Sequence, residues 1–113
     1  MKALRFDFRA PEAKFVAASL GQDGYDMRGN AALVFQAQMN LSSYEKYPNH
    51  VGHVATVDTR AAWRGPLQPG NKNDYDSAHY GNNAETFLEV GNAVGLAMAK
   101  LLLKQNRNQS SNV

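Results

Sequence analysis

The sequence predicts an α+β domain in which a small, mainly antiparallel sheet is packed by a short N-terminal helix and a long C-terminal helix. Three observations lead there. Alternating apolar residues over 2–9 and 31–42 and a β-branched run over 51–60 read as strands. Apolar residues at helical spacing from Phe87 to Leu103 read as one long helix. The chain has 113 residues, 43% of them hydrophobic, which suits a single core, taken as residues 1–104 with a polar tail over 105–113.

In residues 2–9, Leu4, Phe6 and Phe8 fall on one side and Arg5, Asp7 and Arg9 on the other, the period of a half-buried strand. Pro11 suits the first turn of a helix and Glu12 complements its positive end. Phe15, Val16 and Leu20 then make an inner face, which Gly21 ends. Residues 22–30 read as a loop. Residues 31–41 put Leu33, Phe35, Ala37, Met39 and Leu41 on one strand face, with Val34 alone out of pattern. As a helix the same segment would separate Phe35 and Met39 from the stripe of Leu33, Ala37 and Leu41, so a strand is expected. Pro48 breaks the connection before the run 51–60. Residues 65–81, rich in Gly, Pro, Asn and Asp, form a long loop. Asn82 and Glu85 have the spacing of a helix-capping pair at the head of the last helix.

Twelve Lys and Arg against ten Asp and Glu give a net charge of +2, too balanced for a strong nucleic-acid footprint. The absence of cysteine excludes disulfides, thiolate zinc sites and thiol nucleophiles. Residues 1–9 carry charge throughout and lack the apolar segment of a secretion signal. Glu89, Asn92 and Lys100 interrupt the apolar run from Phe87, so no membrane helix is expected. A virion or a host cytoplasm fits these features.

The candidates for chemistry are sparse. His50 and His53, with His79, Asp74 and Asp76 further along, suggest a metal-dependent enzyme. On the expected strand, however, an odd separation points His50 and His53 to opposite faces, and no metal or other cofactor is expected. Asp74, Asp76 and Glu85 fall at the first, third and twelfth positions of a calcium loop, but His79 stands where the sharp turn needs glycine. There is no nucleophile elbow, no phosphate loop and no paired carboxylates, so a non-catalytic protein is the expectation.

Two groups of residues point instead to contacts. Arg60, Trp63 and Arg64, with Tyr75 and Tyr80 in the following loop, have the chemistry of a protein interface, although Trp63 can equally serve a core. On the last helix, Phe87, Val90, Val94, Ala97, Met98 and Leu101 form one apolar strip, while Leu88, Leu96, Ala99 and Leu103 form another. Gly91, Gly95 and Ala99 remove bulk along one line, which admits either a neighbouring backbone or the domain's own sheet. The reading is a homo-oligomer, or a partner of other structural proteins, with no membrane contact. A small monomeric binder that inhibits or regulates a host protein is the alternative.

Val57-Asp58-Thr59 followed by Arg60, Ala62 and Trp63 resembles the V-D-T-G-R-x-R-x-x-W stretch of tail-completion and head-tail joining proteins of tailed bacteriophages. The resemblance spans residues 57–63 and lacks the glycine after Thr59. It implies a virion component.

Overall fold

The computed structural model describes residues 1–65 and 78–110, with side chains of the last helix described as far as Lys104. In chain order the main elements are α1 (Lys2–Asp7), β1 (Phe15–Ala18), α2 (Gly29–Met39), β2 (Val54–Val57) and α3 (Ala84–Ser110). Short 3-10 turns fall at Gly24–Asp26, Asn40–Ser42, Pro48–His50, Arg60–Ala62 and Ala78–Asn82. Tyr75, Asp74 and Asp76 lie outside the described residues.

The sheet corrects the expected fold. Among the described residues it has two strands, and they run parallel, with Phe15 opposite Val54 and Ala18 opposite Val57. The connection explains the direction, because α2 sits between the two strands, and a crossover of that length returns the chain parallel where a tight hairpin would return it antiparallel. The pairing is extended at its ends by Phe15 N–H donating to the His53 carbonyl and Ser19 N–H to that of Val57, each at 2.9 Å.

Three expected elements change type. Residues 2–9 were expected to be a strand and instead contain α1. Among the described residues no strand lies beside them, and the helix satisfies its own backbone, with Arg5 N–H on Met1 O and Phe8 N–H on Leu4 O. The alternating Phe6 and Phe8 face no core and are 83% and 77% exposed. Residues 11–20, expected to be a helix, supply β1, since their backbone pairs with the β-branched β2 and tertiary pairing overrides a helical composition. Residues 31–42, expected to be a strand, form α2 and the turn after it. Ala, Leu, Gln and Met dominate the segment and favour a helix, and none of its side chains is buried, so neither periodic pattern carried a core signal. In the run 51–60 only Val54–Val57 is strand.

The long C-terminal helix is where the sequence placed it, one residue displaced at its cap. Asn83 caps it in place of Asn82, its Oδ1 accepting from Glu85 N–H at 3.0 Å and Thr86 N–H at 3.2 Å. The helix lies against both strands. Among the described residues the buried apolar ones are Met27, Val54, Ala62 and Leu101, joined by the polar Ser19, Thr59 and Thr86. Polar bonds therefore do much of the joining. Thr59 donates its N–H to Ser19 Oγ at 3.0 Å and its hydroxyl to Ser19 O at 2.8 Å. Gly21 is required beside this knot, because a Cβ there would stand 2.5 Å from Thr59 Oγ1.

Candidate functional site

The residues nominated for an interface separate into two groups with opposite fates. Arg60, Trp63, Arg64 and Tyr80 are engaged by other residues of the same chain. The Arg60 guanidinium pairs with Asp58, NH2 to Oδ2 at 2.7 Å, and lies 4.0 Å from the Phe35 ring centroid and 4.8 Å from that of Tyr25. That hydrogen bond lowers the Asp58 carboxyl below its ordinary value, outweighing the opposing effect of burial, and raises Arg60. Trp63 is half-buried and packs on Gly24, where a Cβ would meet its Cδ1 at 3.2 Å. Arg64 pairs with Glu89 and reaches Glu85 at 3.8 Å, while its N–H donates to Thr86 Oγ1 at 3.2 Å, so the turn after β2 is stapled to α3. Tyr80 sets its ring edge-on to Phe87, centroids 5.4 Å apart, and its hydroxyl lies 3.4 Å from the Ser19 carbonyl. Arg, Trp and Tyr at this spacing make the joint between sheet, α2 and α3.

Gly91, Gly95 and Ala99 face the other way, Leu103 is exposed, and Leu96 stands at the edge between the two sides, lining a groove with Ala55, Val57 and Leu101. With 100° between residues, Thr86, Val90, Ala97 and Leu101 fall on one side of α3 and Leu88, Gly91, Gly95, Ala99 and Leu102 on the opposite one. The first set is buried or half-buried against the sheet, and the second is exposed throughout. Leu88, Leu96 and Leu103 are 75%, 55% and 60% exposed. A Cβ at Gly91 or Gly95 would meet nothing within 4 Å, so these glycines do not seat the helix on its own sheet. By length and composition Ala84–Lys104 is also apolar enough to cross a membrane, with a mean hydropathy of 1.4 and 11% of the stretch buried. Its ends are tied to the domain by Arg64–Glu89 and by Leu101 beneath the sheet.

The histidines sit differently from their expected places. His50 and His53 precede β2 and line one cleft together, so opposite strand faces do not separate them. Nδ1 of His50 donates to the Leu41 carbonyl at 2.6 Å. Nδ1 of His53 faces Arg5 NH2 at 3.4 Å and Lys14 Nζ at 3.3 Å. Both neighbours can only donate, so this nitrogen accepts, and the two cations oppose a metal ion at the same place. Among the described residues no three His, Asp or Glu side chains gather into a metal-holding group. Sequence reasoning passed over Arg5, Lys14 and Lys46 because they are far apart in the chain. No protein-family model matches this chain, and no curated protein or solved structure matches it.

Proposed function

We propose that this chain is a non-catalytic, self-assembling structural protein whose copies meet through the outer face of α3. The narrower reading, a bacteriophage virion component of the head-tail joining or tail-completion kind, draws on the resemblance of residues 57–63. The observation that carries the proposal is the apolar outer face of α3, open along the line Gly91, Gly95 and Ala99.

A second copy is favoured as occupant because it would bring the same apolar face, with Leu88, Leu102 and Leu103 exposed at 75%, 48% and 60%. Glycines on the contact line allow two helices to approach closely, and the leucines flanking them supply the apolar area.

Light scattering on the purified chain tests this directly. A discrete multimer is expected, and the double variant Leu96→Glu with Leu103→Glu is expected to reduce it to a folded, smaller species, since charge on that face opposes burial. A wild type that stays monomeric at high concentration overturns the proposal. If that monomer sediments with lipid vesicles, the face belongs to a membrane. If it stays free, the monomeric binder gains.

A further inference from the structure

A second feature, on the opposite part of the chain from α3, has no place in the assembly reading. The segment leading into β2 and the helix α1 enclose a cleft of about 240 Å³ whose lining includes Lys2, Arg5, Lys46, His50 and His53 and contains no Asp or Glu. Arg5 is held in place rather than free to swing. Its Nε and NH2 donate to the Ala13 carbonyl at 3.1 and 2.7 Å, and its guanidinium stands 5.3 Å from the Phe15 ring centroid. Lys14 Nζ approaches the same His53 nitrogen as Arg5 NH2, which brings two full positive charges onto one acceptor atom.

Among the described residues none of Lys2, Arg5, Lys14 and Lys46 forms an ion pair with a carboxylate, whereas Arg28, Arg60 and Arg64 each do. In a chain of nearly balanced charge, four cations left together without a counter-charge repel one another. An anion in the cleft removes that repulsion and accepts the hydrogen bonds that Lys2, Lys46 and the remaining N–H groups of Arg5 have to give.

We infer that this cleft is a binding site for phosphate oxyanions. The lining chooses among anions. With Nε and Nη2 of Arg5 engaged by Ala13 and His53, its Nη1 N–H groups remain to donate, and Lys2 and Lys46 add point charges around them, a donor set that the several oxygens of a multiply charged phosphate can satisfy. The volume is below that of ordinary small-molecule pockets, so it suits one or two phosphate groups and not the body of a larger ligand. Bases are not read here, because one face of Tyr47 stacks on His50, ring centroids 4.9 Å apart, and Lys46 Nζ lies 5.5 Å from its ring centroid. The phosphates can therefore come from a small polyphosphate or from a nucleic-acid backbone, with no sequence preference in either case.

Calorimetric titration of the whole chain with inorganic pyrophosphate at low salt is the test. Saturable binding is expected, weakened at least tenfold in Lys46→Gln and in Arg5→Gln and unchanged in Arg28→Gln, which removes the same charge outside the cleft. Lys46 carries the argument if Arg5→Gln perturbs the fold, since Lys46 holds no ion pair among the described residues and its ammonium lies over the Tyr47 ring. A parallel titration with an oligothymidylate assigns the source. Binding that pyrophosphate competes away identifies phosphates on a polymer, and its absence leaves small polyphosphates as the ligand. No pyrophosphate binding, or binding that Lys46→Gln and Arg28→Gln weaken equally, overturns the inference. Neither result bears on α3, so this site and the assembly face stand or fall separately.

Discussion

At the scale of single residues, the segment after β2 shows why side-chain chemistry and role are separable. Arg60, Trp63, Arg64 and Tyr80 were legible as a cluster, but the sequence does not say which way a cluster faces. The direction is set by partners remote in the chain, Phe35 and Tyr25 for Arg60 and Glu89 for Arg64. The same holds for Thr59, buried by two bonds to Ser19 forty residues earlier. The Asp58–Arg60 pair gives this a measurable consequence. The folded-state carboxyl is depressed below its ordinary 3.8, chiefly by the Arg60 hydrogen bond. Its contribution to stability is therefore present above pH 3.8 and lost as the pH falls through the lower folded-state value. Asp58→Asn removes that linkage. Urea denaturation of the two proteins should show the wild type more stable at pH 6, with the gap closing below pH 3.8. A gap that persists unchanged in acid would mean the carboxylate charge contributes nothing there.

Among the elements, legibility followed length and burial. α3 was readable because a long helix with one buried strip repeats its signal over many turns. α1, β1 and α2 were not, for a shared reason: each is short or bears no buried side chain, so the apolar pattern that distinguishes strand from helix has no core to answer to. Alternation in residues 2–9 was a pattern without a partner strand. The two strips on α3 and the glycine line were visible from spacing alone, whereas only the structure assigns the inner strip to the sheet. Gly95→Leu isolates the outer one. Leucine is a better helix former than glycine by something under about 1 kcal/mol, and nothing in the protomer lies within 4 Å of the new Cβ, so the helix survives. Bulk on the contact line holds a neighbouring backbone away. Circular dichroism should show helix content retained, while light scattering shows a smaller species than wild type. Unchanged mass would mean that copies do not approach along this line.

For the whole molecule, the question is what completes it. A parallel sheet ordinarily has both faces covered, and two strands alone are marginal in water. Among the described residues four apolar residues are buried and fourteen large hydrophobic residues are exposed, so one sheet and one helix leave much apolar surface uncovered. If copies cover part of one another's exposed apolar surface, association stabilises a fold that a single copy still adopts. Stability must then depend on protein concentration. For a dimer that unfolds to separate chains, a tenfold rise in concentration adds about 1.4 kcal/mol per dimer. With an unfolding enthalpy of roughly 0.7 kcal/mol per residue, that moves the thermal midpoint by about 3 °C. Calorimetry over a hundredfold concentration range should therefore show the midpoint climbing steadily for the wild type, and flat for the Leu96→Glu, Leu103→Glu variant. A wild-type midpoint independent of concentration would mean that association adds nothing to stability, and the exposed face of α3 would then have to be covered by something other than a second copy.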